Sequence, residues 1–263
     1  MSRLRNSWFV KKISILKTVR RFMLASIIST LFVAISANAS ALESQVVAYS
    51  SGSWRGVESQ IKFSIPGILP NSGQFVAAPL AISTLNEINI PFAFIEAGPI
   101  KNRQNSSVGS DCKPHPYFST QDQQDNFSDF AVDTTYELQE GVFYTYRVDT
   151  TQTTNRFQAL FCDGLGCRQI GIRSFVNYST PGGSVVRTQF RYLFTAVEST
   201  GGVKVFPPVF FSNVKGKTAS NQWQSQCYDT TTSSIGNAEA APCRDFTWAL
   251  WMKQRIYIPL NVR

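Results

Sequence analysis

Hydrophobic and polar residues alternate along this chain over many short stretches. In VESQIKFSI, which begins at Val57, the valine and Ile61 fall on the side opposite Glu58. Alternation with a period of two is typical of a β-strand that buries one face. Helical periodicity is almost absent after residue 39. We therefore predict an all-β domain, a sandwich or barrel of antiparallel strands.

The other predicted strands follow the same pattern and are separated by Gly, Pro, Asn, Asp and Ser. They are QFVAAPLAI, INIPFAFIEAG, GVFYTYRVDT, RFQALFC, CRQIGIRSFVNY, SVVRTQFRYLFTAVE, FPPVFFSNV and DFTWALWMKQRIYI. TPGG at 180–183 predicts a hairpin turn between two of the longest runs. Residues 101–140 are polar and weakly patterned. We expect them to form an extended surface loop or an insertion that covers one end of the sandwich.

The N-terminus has the composition of a secretory signal peptide. Residues 1–21 hold seven Lys/Arg and no acid, and residues 22–35 are apolar. Ala37 and Ala39 then give the small-x-small pattern of a signal-peptidase site. An uncleaved membrane anchor is the alternative, but fourteen apolar residues are short for a transmembrane helix. We predict cleavage after Ala39 and a secreted or periplasmic protein that makes no membrane contact once the signal peptide is removed.

The charge balance changes when the signal peptide, residues 1–39, is set aside. The chain carries 25 Lys/Arg and 17 Asp/Glu, and seven of the basic residues but none of the acids lie in this segment, so 18 and 17 remain. A nucleic-acid-binding surface needs an excess of cations. We therefore expect no nucleic-acid partner. Residues 40–263 contain no linker or internal repeat, and we predict that they form a single domain.

Five cysteines, all after the signal peptide, indicate an oxidising compartment. Cys162 and Cys167 enclose DGLG, a tight-turn sequence between two predicted strands, and are candidates for a disulfide across a hairpin. Cys227 and Cys243 flank a loop of fifteen residues and are the second candidate pair. Cys112 is then left over. The sequence alone leaves the pairing open, because two bridges among five thiols can be drawn in about fifteen ways.

The single histidine, His115, restricts the possible chemistry. It stands in CKPHPYF between two prolines, which indicates a loop histidine in a Pro-rich turn. A Ser-His-Asp or Cys-His arrangement would have to use it, and no GxSxG motif supplies a nucleophile after the signal peptide. Cys112 and His115 have C-x-x-H spacing, but a zinc site needs two more ligands. We expect neither a metal nor another cofactor.

Two glutamates follow aromatic residues at in-phase positions of predicted strands. Glu96 shares a side of its strand with Phe94, and Glu198 continues a second such row. The residues before Glu198 in that row are Phe190, Tyr192, Phe194 and Ala196. An isolated glutamate at such a position is usually in water or paired with an arginine, here Arg147 or Arg191. Two glutamates that meet cannot both ionise easily, so the pair can act as an acid and a base.

Four segments around these glutamates resemble the glutamic peptidases, both the fungal eqolisins and the plant neprosins. SGSWRGVESQIKFSIP is similar to their N-terminal strands, and CDGLGC to the C-x4-C hairpin of the neprosins. FIEAGPI and FTAVESTGGVKVFPPVFFSNV look like the segments that bear the first and the second catalytic residue. The first catalytic residue is Glu in neprosins and Gln in eqolisins, so Glu96 matches the neprosin pattern. The resemblance covers roughly residues 48–215 in order and spacing.

The resemblance implies a lectin-like antiparallel β-sandwich with a catalytic dyad of Glu96 and Glu198. One glutamate would activate a water, and the other, protonated, would donate to the carbonyl oxygen and then to the leaving nitrogen. The comparison favours Glu198 as the base and implies that Trp54 forms a wall of the substrate cleft. The expected protein is a secreted endopeptidase, active on polypeptides only below neutral pH, that needs no metal and forms no covalent intermediate.

Two functions from other classes also fit the sequence. In a non-catalytic lectin-like binding module, tryptophans would stack on sugars and the glutamates would only accept hydrogen bonds. The candidates for stacking are Trp54, Trp223, Trp248 and Trp251. A glycosidase would also use paired carboxylates. In glucanase-like sandwiches, however, two Glu and an Asp alternate along one strand, whereas each candidate glutamate here is the only one on its strand.

Overall fold

The computed structural model describes residues 44–64, 75–84, 90–102, 113–180, 182–199, 206–227, 230–233, 238–240 and 248–252. Within those ranges the regular structure is all β. The strands are β1 Ser44–Lys62, β2 Phe75–Ala77, β3 Leu80–Ser83, β4 Ala93–Asn102, β5 Pro114–Asp122, β6 Phe127–Val132, β7 Phe143–Thr150, β8 Arg156–Cys162, β9 Cys167–Ser174, β10 Tyr178–Thr180, β11 Gly183–Val185, β12 Phe190–Ser199, β13 Phe206–Thr218, β14 Trp223–Ser225, β15 Thr230–Ser233, β16 Ala238–Ala240 and β17 Trp248–Met252. No helix long and apolar enough to cross a membrane occurs in these ranges.

The long strand β1 takes part in both layers of an antiparallel sandwich. Its first part, residues 44–51, pairs with β12 and β15. Its second part, residues 56–62, pairs with β7 and β13. The pairing register shifts between Ser51 and Trp54, and irregularities of this kind bend a strand and increase its twist. One chain segment thereby joins the two layers.

The first layer continues from β12 through β2 and β3 to β4, β5 and β6. The second layer continues from β7 to β8 and β9, while β14 and β17 pair with β13. Strands β7 and β8 lie over β4, and β9 lies over β5. The predicted all-β class and the antiparallel sandwich are therefore confirmed.

The main hydrophobic core lies between the two layers. Ala93, Ile95 and Ala97 of β4 belong to it, together with apolar side chains of β7 and β8. The layers approach each other closely where Gly171 of β9 faces the Phe118 ring of β5, because a Cβ at Gly171 would lie 2.1 Å from that ring. A side chain at position 171 has no space in this core.

A buried ion pair ties the start of β4 to the end of β5. The Arg187 Nη2 lies 3.7 Å from the Asp122 Oδ1 and donates a hydrogen bond of 3.1 Å to the carbonyl oxygen of Pro91. The guanidinium carbon lies 5.9 Å from the ring centres of Phe175 and Phe190. Because removing one partner of a buried pair leaves an uncompensated charge, this contact fixes the relative position of the two strands.

Two of the sequence predictions concern turns and loops. The TPGG hairpin is confirmed, since β10 and β11 pair from Tyr178 opposite Val185 to Thr180 opposite Gly183. The interpretation of 101–140 as a loop or insertion is wrong for β5 and β6, which extend the first layer beyond β4. The hydrophobic pattern did not predict β5 because polar residues of this strand are buried and have hydrogen-bond partners in the sheet. For example, the Thr120 hydroxyl donates to the carbonyl oxygen of Phe94 at 2.8 Å.

The disulfide between Cys162 and Cys167 is confirmed and closes the hairpin of β8 and β9. Cys227 is also disulfide-bonded. Its predicted partner, Cys243, and the leftover Cys112 both lie outside the described residues. At the tip of the first disulfide hairpin, Leu165 is almost fully exposed.

We expect Gly171→Ala to lower the free energy of unfolding by about 1–3 kcal/mol, because the added methyl group would overlap the Phe118 ring. Urea denaturation followed by tryptophan fluorescence measures this change. The matched control is Gly182→Ala, where an added Cβ would meet no atom closer than 3.7 Å. Equal stability of the two variants would contradict the close approach of β9 to β5.

Candidate active site

Glu96 lies on the side of β4 that faces away from the main core. Ala93, Ile95 and Ala97 point into the core, and Glu96 lies on the other side, which it shares with Phe94 as the alternation predicted. The same side of the first layer carries a second, smaller apolar cluster, which is made of Phe75, Ala77, Ile100 and Tyr117 with Phe130 and Val132 packed against it. The glutamate therefore sits beside an apolar surface that is separate from the sandwich interior.

The carboxyl group of Glu96 is buried and has one hydrogen-bond partner in the described part of the chain. The side chain is 1% exposed. The Tyr117 hydroxyl donates to Glu96 Oε1 at 3.2 Å, and Oε2 has no hydrogen-bond partner there. No lysine or arginine within the described ranges forms an ion pair with this carboxyl. Arg147, one of the predicted partners, instead pairs with Glu58, to which its Nε donates at 2.6 Å.

Burial changes the titration of Glu96. Desolvation raises the pKa of Glu96 from 4.5 to about 8, and the hydrogen bond from Tyr117 offsets a smaller part of this shift. The group is thus mainly a neutral carboxylic acid at pH 7. A neutral acid has one proton to donate, and Oε2 is the oxygen that has no hydrogen-bond partner in the described part of the chain. This arrangement suits a general acid.

Tyr117 is the functional residue that the sequence reasoning missed. It lies on β5, in the polar region interpreted as a loop, and opposes Gly98 of β4. Glu96 is the next residue on the same side of β4, so the tyrosine reaches it diagonally. The Tyr117 ring packs against Phe130 with a centroid distance of 5.8 Å. Burial is nearly continuous along PHPYFSTQD and does not alternate, so the period-two pattern did not reveal this strand.

Gly98 allows the neighbouring strand to approach closely beside the glutamate. A Cβ at Gly98 would lie 2.4 Å from the carbonyl oxygen of Ala78. The Ala78 N–H donates to the carbonyl oxygen of Pro99 at 3.0 Å, so the contact between β4 and the segment joining β2 to β3 continues past this point. The glycine two residues after Glu96 in FIEAGPI is thus needed for strand packing.

The second predicted glutamate, Glu198, is placed by its backbone. Glu198 on β12 pairs with Ala77 of β2, whereas Glu96 pairs with Ala81 of β3, which in turn pairs with Phe194 of β12. The glutamates are therefore two strands apart and offset by four residues. In a flat sheet this separates their Cα atoms by about 17 Å. The side chain of Glu198 is outside the description.

The structure places Trp54 away from Glu96. The Trp54 side chain is 6% exposed and packs on Gly216, where a Cβ would lie 2.4 Å from the ring. It opposes Phe190 on β12, whereas Glu96 is level with Phe194. The groove beside Trp54 has a volume of about 510 Å³ and is lined by Ser50, Ser51, Gly52, Ser53, Thr218, Ala219, Ser220, Gln224 and Gln226. This groove is uncharged and does not include the glutamate.

The remaining candidates do not gather around Glu96. His115 is a buried residue of strand β5, so its interpretation as a loop residue is wrong; its Nδ1 lies 2.9 Å from the carbonyl oxygen of Tyr136. Trp223 is on β14, where the Arg147 guanidinium lies 5.5 Å from its ring centre. The side chains of Trp248 and Trp251 are outside the description.

Phe190 of β12 packs into the main core against Phe157, with ring centroids 5.1 Å apart. It therefore does not belong to the row of residues that was predicted to share one face of β12 with Glu198.

No protein-family model and no curated protein sequence matches the chain. Among solved structures, the chain is similar to SCP-B, a member of the eqolisin family of peptidases, in complex with the tripeptide Ala-Ile-His. The TM-score is 0.48 and the sequence identity is 13%. The match covers 81% of this chain and 100% of that chain. It is also similar to the Bacteroides ovatus mixed linkage glucan GH16 protein in complex with a G4G4G3G product, with a TM-score of 0.39, 10% identity, and coverage of 83% and 82%. Similarity at this level assigns neither a family nor an activity.

We expect the stability of the protein to decrease as the pH rises from about 4.5 to about 8, because the folded state then holds a proton on Glu96 that the unfolded state has lost. Below the unfolded pKa this contribution is fully present. Thermal unfolding between pH 4 and 9 measures it. Glu96→Gln should remove this part of the pH dependence, whereas the exposed Glu137→Gln should keep it; identical profiles for both variants would contradict the raised pKa.

Proposed function

We propose that the protein is a hydrolase that uses Glu96 as a general acid and Glu198 as a general base, and that its substrates are polypeptides. The observation that carries this proposal is the buried Glu96 carboxyl, whose Oε2 has no hydrogen-bond partner in the described part of the chain and whose pKa is raised to about 8. Groups of this kind are found preferentially at functional sites. The choice of polypeptides depends on the resemblance of four sequence segments to the glutamic peptidases.

The reaction would divide the proton transfers between the two glutamates. Glu198, as the carboxylate, takes a proton from a water molecule whose oxygen attacks the peptide carbonyl carbon. Glu96 Oε2 gives its proton to the carbonyl oxygen, which yields a neutral tetrahedral intermediate. When the C–N bond breaks, Glu198, and not Glu96 as the resemblance implies, passes its proton to the leaving nitrogen, and a hydroxyl of the intermediate returns a proton to Glu96. Both carboxyl groups regain their starting states.

Two features of the first layer favour this use of the site. The offset of the two glutamate backbones along β12 and β4 leaves room for a peptide bond and a water between these positions. The burial of Glu96 excludes water from the proton donor, which strengthens its interaction with a developing negative charge. Because the carboxyl is closed off from solvent, access to Oε2 requires a local opening of this surface.

We expect Glu96→Gln and Glu198→Gln each to reduce the digestion of a denatured protein by about 10²–10⁴-fold, because each removes one proton transfer. The measurement is the initial rate of fluorescence release from dye-quenched casein at pH 5. Glu137→Gln, an exposed glutamate paired with Lys113, is the matched control and should keep the wild-type rate. Wild-type rates in both site variants would refute the dyad. Release of reducing sugar that is lost in Glu198→Gln would instead indicate a glycosidase.

We expect kcat/KM to fall as the pH rises through about 8, because Glu96 then loses the proton that it must donate. This limit lies above the acid range expected from the resemblance, since burial keeps Glu96 protonated at neutral pH. A pH–rate profile from pH 3 to pH 9 on a quenched peptide tests it. Loss of activity already at pH 6, with the protein still folded, would contradict Glu96 as the acid.

A further inference from the structure

We propose that Tyr117 is a positioning residue that determines which oxygen of Glu96 carries the transferable proton. The inference is based on the proposed function of this site and extends it to a residue on another strand. Tyr117 itself would not touch the reacting atoms. It would act through Glu96, by holding Oε1 as a hydrogen-bond acceptor and leaving Oε2 as the donor.

The geometry of β4 and β5 fixes the tyrosine in this role. Tyr117 opposes Gly98, which has no side chain, and its hydroxyl reaches Glu96 Oε1 at 3.2 Å. The ring is buried in the apolar cluster with Phe75 and Ile100 and packs against Phe130. A buried ring with such neighbours has few alternative rotamers. The hydroxyl is therefore delivered to the carboxyl from one fixed direction.

The chemistry of the two groups assigns the proton. A phenol hydroxyl has one hydrogen to donate, and a protonated carboxyl has one oxygen that accepts and one that donates. With Tyr117 donating to Oε1, the carboxyl hydrogen belongs on Oε2, which has no other hydrogen-bond partner among the described residues. Without the hydroxyl, the hydrogen could occupy either oxygen. Only one of these two forms would be aligned for transfer to a substrate.

The same hydrogen bond adjusts how readily the proton leaves. Burial raises the pKa of Glu96, and the hydroxyl of Tyr117 acts against this increase because it stabilises the carboxylate. Loss of the hydroxyl should therefore move the titration of Glu96 to higher pH. A purely structural role of the tyrosine would change stability without changing this titration.

The strands around Glu96 carry other titratable groups, and each of them has its own contact or position in the sheet. On β5, His115 contacts the carbonyl oxygen of Tyr136. On β4, Lys101 pairs with Glu140 at 2.7 Å. On β12 and β1, the positions to consider are Glu198, Tyr192 and Tyr49; Tyr49 is level with Phe194, and its ring centroid lies 6.0 Å from that of Tyr192. Within the described ranges, the Tyr117 hydroxyl is the titratable group that hydrogen-bonds to Glu96.

The test compares Tyr117→Phe, which removes only the hydroxyl, with Tyr146→Phe. Tyr146 is fully buried in the main core, and its hydroxyl has no hydrogen-bond partner in the described part of the chain. For Tyr117→Phe we expect kcat to fall about tenfold with KM nearly unchanged. The alkaline limb of the pH–rate profile should move to higher pH. Tyr146→Phe should leave both unchanged.

A second readout does not depend on activity. The pH at which thermal stability decreases should move upward in Tyr117→Phe, and this shift should vanish when Glu96→Gln is also present. Tyr117→Leu provides a second variant without the hydroxyl if the phenylalanine packs poorly. An unchanged alkaline limb together with an unchanged stability profile would overturn the proposal. If wild type cleaves no polypeptide but the stability profile still shifts, the hydrolase assignment fails and the Tyr117–Glu96 coupling is upheld.

Discussion

The chemistry proposed for this protein depends on one buried carboxyl group, that of Glu96, which pairs with no cation in the described part of the chain. Within the described ranges, Glu96 has neither lysine nor arginine beside it, so the neutral form is the one that burial favours. The hydrogen bond from the Tyr117 hydroxyl on the neighbouring strand partly compensates for the hydration that the carboxyl group loses on burial. Every chemical role considered for this protein depends on that balance between desolvation and one hydrogen bond.

The architecture places this carboxyl by giving the first layer two apolar sides. One side faces the second layer and forms the main core, while the other carries Glu96, Tyr117 and the smaller apolar cluster. The ion pair of Arg187 and Asp122 sets β4 and β5 in position at one end. Close approach of the backbone at Gly98 does the same next to the glutamate. The site is thus built on paired strands, which hold side chains more precisely than loops do.

The structure treats the two other residues predicted for the site of Glu96, Glu198 and Trp54, differently. The backbone of Glu198 lies two strands away on the same layer, which is compatible with a shared site. Trp54 lies after the register shift of β1 and packs on Gly216, beside an uncharged groove. An irregular residue in a strand changes the face on which every later side chain lies. The alternation of residues along the sequence does not show where such an irregularity occurs.

The sequence by itself determined the all-β class, the TPGG hairpin, and the side of β4 that Glu96 shares with Phe94, and it made Cys162 and Cys167 a candidate pair whose bridge the structure confirmed. These features depend on local turn chemistry or on alternation along one strand, both of which are written within a few residues. Only the tertiary structure decided that the polar β5 pairs with β4 and brings Tyr117 to the carboxyl. Strand neighbours are chosen by contacts distant in sequence, and burial follows from all of them together.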